Sequence, residues 1–429
     1  MKWTSSLFLG LLFLVSQCSE RRVDDQSIET PTTKNIERAT ISREVYHDKV
    51  LGMLLGSAIG DAMGAPTEMW TREDIQLNYG FVSDLDSMVR SPTAEGTWKY
   101  NLPAGGTTDD TRWKKLTIEY LLSANIDQLQ ADDFANFITS EYKRQVAELK
   151  NTNGFDPAPF EENLMKMAWL QEWALVAKPF KEKDMVGYAN AMSNFYGGEM
   201  TCAGMLYSPI FGAAFPKNAS LAYKNAYDAG IFDLGYARDM TGLVSAMVSA
   251  CFEENATIES VLNVNRTIDP EGFFKSRLVG RSAYRFFMMA KTIDFETSAM
   301  TEADVDVHST MPKMWRHLNL LEYTKLKKAF DMLDLANEDV AFHPGEIYLI
   351  AITAMMFCDF DFEKSMAFIV NYGRDNDTVA AIAGAILGAY WGGRKLPADM
   401  VKKVIAVNKN ELGIDLEGLA TQLTEKYFD

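Results

Sequence analysis

Four glycines, Gly52, Gly56, Gly60 and Gly64, recur every four residues in the stretch GMLLGSAIGDAMGAPTE. That spacing places them along one face of a helix. A glycine inside a helix costs about 1 kcal/mol relative to alanine, so four in register call for a compensating contact. The compensation available is close packing, because a face without side chains lets a second helix approach backbone to backbone. Asp61 and, seven residues later beyond a proline, Glu68 follow the stripe and place carboxylates just past the packed face.

Helical periodicity dominates the remainder of the chain. It predicts helices over 46–63, 111–124, 131–149, 160–176, 219–228, 240–253, 273–291, 315–335, 346–357, 362–371, 377–390, 397–407 and 415–427. Strand-like alternation is scarce and short, so the expected fold class is all-α. A chain of 429 residues would ordinarily suggest two or three domains of about 100–200 residues each. No Pro/Gly/Ser-rich linker interrupts it, and one large domain over 46–429 is expected instead.

Two acidic stretches stand out against this helical background. Gly105–Thr111 reads GGTTDDT, with Thr108, Asp109 and Asp110 leading into a helix-like run. Residues 373–378 read GRDNDT, and the apolar run VAAIAGAILGAYWGG follows at once. Taken alone, either stretch is a well-capped helix start, where side-chain oxygens accept orphan N–H groups. Together they supply four aspartates and two threonines at two helix starts. Asp375 and Asp377 are two residues apart, which lets both carboxylates converge while Asn376 points away. Four carboxylates repel one another unless a cation joins them. With one or two divalent ions they form the oxygen donor set that magnesium, manganese or calcium prefers, and the helix dipoles favour their charge.

The segments GDAMGAPTE, TTDDT and GRDNDTVAAIAGAILGA occur in that order, and on them the chain resembles the ADP-ribosylglycohydrolase family. The likeness is anchored from about Leu51 to Gly393, with weaker agreement between the motifs. It implies an all-α domain that cleaves the bond joining ADP-ribose, or a related ribosyl group, to an acceptor. It also implies a dinuclear site in which Thr108, Asp109, Asp110, Asp375, Asp377 and Thr378 hold two divalent cations, magnesium or manganese. Glu68 would then act as acid/base or as a switchable metal ligand. Two other readings stay open: an exported hydrolase of another N-ribosyl compound such as a nucleoside, and a non-catalytic structural member like the lens crystallins of the family.

The central third departs from the family pattern. Members usually carry an Asn-Gly…Met-Arg…Pro stretch followed by Thr-His. Here TCAGMLYSP, from Thr201 to Pro209, keeps Met205 and Pro209 but has Leu206 in place of arginine, and LGYARDMTG from Leu234 to Gly242 lacks a histidine. The substrate-binding residues are therefore not assigned. Phe195, Tyr196 and Tyr207 flank this segment and are expected to serve the core rather than stack on a base.

Net charge is −17 and the sequence pI about 4.8. Such a surface repels phosphate backbones and anionic bilayers, which argues against nucleic acid as a ligand. Lys2 followed by the apolar run Leu7–Val15 reads as an export signal, too short to span a bilayer. Val15-Ser16-Gln17-Cys18 resembles a bacterial lipoprotein cleavage site, so residues 1–18 are expected to direct export, with a lipid on Cys18. Residues 19–45 would form a polar tether, and the protein would be periplasmic or anchored at the outer membrane. Cys202, Cys251 and Cys358 form no disulfide framework and are expected to be buried thiols. His47, His308, His317 and His343 show no metal spacing, and the zincin, nucleophile-elbow and phosphate-loop patterns are absent. Four N-x-Ser/Thr sequons occur, one of them at Asn376 inside the acidic motif, where a glycan has no room.

Overall fold

The glycine stripe lies in the first helix, α1 (Arg43–Gly64), whose N-terminus is capped by the Ser42 side chain. The computed structural model describes residues 39–152, 157–305 and 311–429. The helix α1 is followed by α2 (Arg72–Asn78), α3 (Asp109–Ser123), α4 (Ala131–Asn151), α5 (Pro157–Lys181) and α6 (Met185–Met192). Next come α7 (Ser208–Ala214), α8 (Ala219–Ala229), α9 (Ala237–Ala250), α10 (Ile258–Thr267), α11 (Ser282–Ser298) and α12 (Leu320–Asp334). The chain closes with α13 (Pro344–Phe357), α14 (Phe362–Tyr372), α15 (Asn376–Trp391), α16 (Ala398–Glu411) and α17 (Leu416–Phe428). Among the described residues there is no strand, only isolated bridges between Trp70 and Arg374 and between Met88 and Leu102. The fold is all-α.

The partner of the stripe is α15. A Cβ on Gly56 would run into the Gly384 carbonyl, and one on Gly52 into that of Gly388. The relation is mutual, since a Cβ on Gly384 or Gly388 would meet the carbonyls of Gly56 and Gly52. At the lower end Gly64 lies against the backbone of Asp377, whose nitrogen would stand 2.5 Å from a Cβ there. The closest helix contact in the fold therefore ends at the acidic stretch and sets its position. Apolar on every side, α15 is buried throughout its length apart from its last residues. The helices α9, α13 and α14 pack around it.

Several boundaries differ from the expectation for local reasons. Because Ser42 starts α1 at Arg43, the proposed tether stops short of residue 45, and Ala39 and Thr40 already bond to Tyr427 and Lys217. The helix expected over 273–291 begins only at Ser282, because Gly272 and Gly280 both take positive φ and leave a single turn at Phe273–Lys275. The one expected over 315–335 begins at Leu320, where Asn319 and Glu322 form a capping box. The short helices α2, α6, α7 and α10 were not expected, being too brief for a periodic signal. Cys202 and Cys251 are buried free thiols and Cys358 is partly exposed. The proposed signal and Cys18 lie outside the described residues.

Candidate active site

Asp61, one residue past Gly60 in the stripe, organises the start of α3. It is fully buried and accepts four hydrogen bonds. The Thr108 amide and hydroxyl donate to one oxygen at 2.9 and 3.0 Å, and the Thr111 amide and hydroxyl to the other at 3.0 and 2.6 Å. With both oxygens so engaged, Asp61 fixes the TTDDT turn against α1. The sequence pattern placed a carboxylate near the site but did not reveal this role. The clue was an aspartate in the most closely packed stretch of the chain, where a charge needs partners.

The second acidic stretch arrives through a left-handed turn. Gly373 has φ 91° and Arg374 φ 67°, and a Cβ on Gly373 would stand 2.7 Å from the Trp70 carbonyl. The Met69 amide donates to the Arg374 carbonyl at 2.8 Å, and the Arg374 amide to that of Trp70 at 2.9 Å. Arg374 is held in this uncommon conformation by a two-pronged ion pair with the buried Glu346, at 2.7 and 2.8 Å. The segment carrying Glu68 and the one carrying Asp375 are thereby joined. Asn376 turns away as expected, donating to Thr67 at 2.9 Å and to the Val370 carbonyl at 3.2 Å.

The two stretches meet. The Thr378 hydroxyl donates to Asp110 at 3.0 Å, and the Thr108 hydroxyl lies 3.4 Å from Asp377. Asp375 is buried beside Asp377 and Thr378. Asp109 keeps some exposure, and its amide donates to the Glu95 carbonyl at 3.0 Å. Glu68, half-buried, pairs with Arg90 at 2.7 Å. Lys114 is buried, with its ammonium 3.6 Å from Asp110 and 2.9 Å from that residue's carbonyl. Arg112 donates to the Ala94, Glu95 and Gly96 carbonyls, each at 2.9 Å, and lies over Trp98. Arg90, Arg112 and Lys114 carried no signal in the sequence beyond their charge.

Six carboxylates (Asp61, Glu68, Asp109, Asp110, Asp375, Asp377) thus face three cations (Arg90, Arg112, Lys114). Burial, with that imbalance behind it, raises the aspartates. Burial, then Asp110, pushes Asp61 up to about 7. Burial, then Glu68 and Asp110, does the same to Asp375. Burial and neighbouring carboxylates raise Asp377 and Asp109 well above the usual range, and burial raises Asp110 although Lys114 and Thr378 oppose it. One oxygen each of Asp110 and Asp377 is buried and accepts no hydrogen bond. Buried carboxylate oxygens without a hydrogen bond, that of Asp110 facing the Lys114 ammonium at 3.6 Å, fit a hard divalent cation. Among the described residues, no three acidic, histidine or cysteine side chains already converge as a formed metal cage. Any ion held here would therefore draw on threonine oxygens and water as well.

Around the divergent central segment, Phe195, Tyr207, Met205 and Leu206 are buried in the core. Tyr196 alone of the three flanking aromatics is partly exposed, with φ 46° and its hydroxyl 2.7 Å from Glu95.

A family model described as ADP-ribosylglycohydrolase matches residues 42–428. A protein of Escherichia coli named YegU is 22% identical over 88% of this chain and 97% of its own length. The ADP-ribosylhydrolase ARH3 of Gallus gallus is 23% identical over 81% of this chain and 86% of its own. A solved structure titled as an ADP-ribosylglycohydrolase-related protein complex aligns with TM-score 0.52 at 17% identity, covering 90% of this chain and 99% of that one.

Proposed function

The chain belongs to the ADP-ribosylglycohydrolase family, and on that premise we propose that it hydrolyses the glycosidic bond between an ADP-ribosyl group and its acceptor, with divalent cations held by the paired acidic stretches. The observation that carries this reading is the contact of Thr378 with Asp110, which joins the two stretches and leaves buried carboxylate oxygens unbonded. Thr108, Asp109, Asp110, Asp375, Asp377 and Thr378 would hold two ions, magnesium or manganese. When bound, such ions orient hydroxyl oxygens and polarise a water.

The remaining steps belong to the chain itself. Asp61 keeps Thr108 and Asp110 in place through its four bonds to the start of α3. Glu68 reaches the same acidic cluster from the end of the stripe, and a glutamate there accepts a proton from the attacking water. The new bond forms between that oxygen and the anomeric carbon, the acceptor leaves with the bonding pair, and the proton taken from water by Glu68 passes to the departing acceptor atom. A relative bearing the name ADP-ribosylhydrolase supports the choice of ADP-ribose as the transferred group. The test is release of ADP-ribose from ADP-ribosylated serine and arginine peptides, with free nucleosides alongside, in magnesium and in chelator. Magnesium-dependent release of ADP-ribose supports the reading. Release from nucleosides alone moves the activity to another ribosyl substrate, and no hydrolysis of any of them refutes it.

We also propose that the protein is exported and anchored through a lipid on Cys18, on the strength of the apolar Leu7–Val15 run directly before that cysteine.

A further inference from the structure

A strap of chain between Ser91 and Thr97 lies against the start of α3, where the Asp109 amide donates to the Glu95 carbonyl at 3.0 Å. Arg112, buried at the start of α3, donates to three successive strap carbonyls, those of Ala94, Glu95 and Gly96. The turn is closed by the Thr97 carbonyl, which accepts from the Thr93 amide at 2.8 Å, and by the Thr93 hydroxyl, which accepts from the Gly96 amide at 2.8 Å. Gly96 is buried, and a side chain there would collide with the guanidinium of Arg90, whose central carbon would stand 2.9 Å from the added Cβ. The Arg90 guanidinium thus packs against the strap, and its Nη1 forms an ion pair with Glu68 Oε2 at 2.7 Å, without hydrogen-bond alignment, both side chains about three-quarters buried.

We infer that Arg90 is the positioning residue for Glu68: the strap, pinned by Arg112, aims the Arg90 guanidinium so that it holds the Glu68 carboxylate at the edge of the aspartate cluster. Glu68 needs such a holder. It follows a one-turn helix, Ala65–Thr67, and its neighbours on the far side are carboxylates that repel it. An unheld glutamate would swing toward solvent. A rigid guanidinium fixes direction in a way that a flexible ammonium does not, and small displacements of a proton-transferring group lower rates steeply.

The inference rests on the proposed hydrolysis, and the experiment separates the two. Single-turnover release of ADP-ribose is measured for the wild type, Arg90→Ala, Arg90→Lys, Glu68→Gln and the Arg90→Ala/Glu68→Gln double variant, with magnesium titrated calorimetrically into each. Arg90→Ala is expected to slow turnover by about tenfold or more with KM changed much less, and Arg90→Lys to recover only part of that loss. The double variant should be no slower than Glu68→Gln alone, because Arg90 acts only through Glu68. Magnesium binding should survive in all four variants. Multiplying losses in the double variant, or wild-type turnover in Arg90→Ala beside a slow Glu68→Gln, would overturn the assignment while leaving the hydrolase reading intact. Loss of magnesium binding in Arg90→Ala would also overturn it, by making the arginine a support of the fold. A wild type without ribosyl hydrolase activity would remove the proposed function, and the positioning role with it.

Discussion

The hydroxyl of Thr378 donates to the carboxylate of Asp110 across 268 residues of chain. Around that contact the aspartates divide into two kinds. Asp110 and Asp377 each keep a buried oxygen without a hydrogen bond, whereas Asp61 has both oxygens filled by Thr108 and Thr111. Opposite signs of stability change follow. Asp377→Asn relieves repulsion, so in metal-free buffer its unfolding free energy should be unchanged or higher, while magnesium affinity is lost. Asp61→Ala strands the donors of two threonines and should lower metal-free stability by about 2–4 kcal/mol. Urea unfolding paired with calorimetric titration checks both; equal destabilisation by the two variants would contradict the division.

The raised carboxylates make a prediction about pH. Asp61 and Asp375 titrate near 7 in the folded protein, and in the unfolded chain near the ordinary value of about 3.9. The folded state therefore binds more protons between those values. The metal-free protein is favoured below the unfolded value, and that advantage is lost as pH rises through the folded one. Scanning calorimetry should show the metal-free melting temperature falling by several degrees between about pH 5 and pH 8, and saturating magnesium should flatten the slope. A metal-free profile that rises over that range would count against the cluster.

Gly56→Ala tests the packing that sets the site. The added methyl would meet the Gly384 carbonyl, a backbone atom fixed within α15, so neither side can yield locally. The expected loss is at least about 1–3 kcal/mol in urea unfolding, with weaker magnesium binding because α1 and α15 are forced apart. Unchanged stability would mean that the stripe is incidental.

Mass spectrometry of membrane-extracted protein tests the anchor. The mature chain should begin at Cys18 and carry a lipid. An unmodified N-terminus elsewhere would remove the lipoprotein proposal and leave export standing.

Much of this arrangement could be read from the chain because it rests on short-range signals. Glycines at every fourth residue announced a close helix contact, though not that α15 makes it, and aspartates beside threonines announced the two helix starts. Asp375 and Asp377 flanking an Asn376 turned away from them followed from residue spacing alone. What the sequence hid is long-range or irregular. Asp61 gains its role from a turn 47 residues away. The partnership of Arg90 and Glu68 depends on a strap without helical or strand periodicity, and the late start of α11 depends on positive φ at Gly280. The family pattern could not supply the substrate contacts either, because Leu206 stands where an arginine is usual and is buried in the core.

The most direct test is anomalous diffraction from crystals soaked in manganese. The account predicts manganese peaks bonded to oxygens of Asp109, Asp110, Asp375 and Asp377, with Thr108 and Thr378 alongside and Asp61 still turned to the start of α3. Manganese bound only elsewhere, or no peak at a concentration that supports hydrolysis, would contradict a metal centre built from these two stretches.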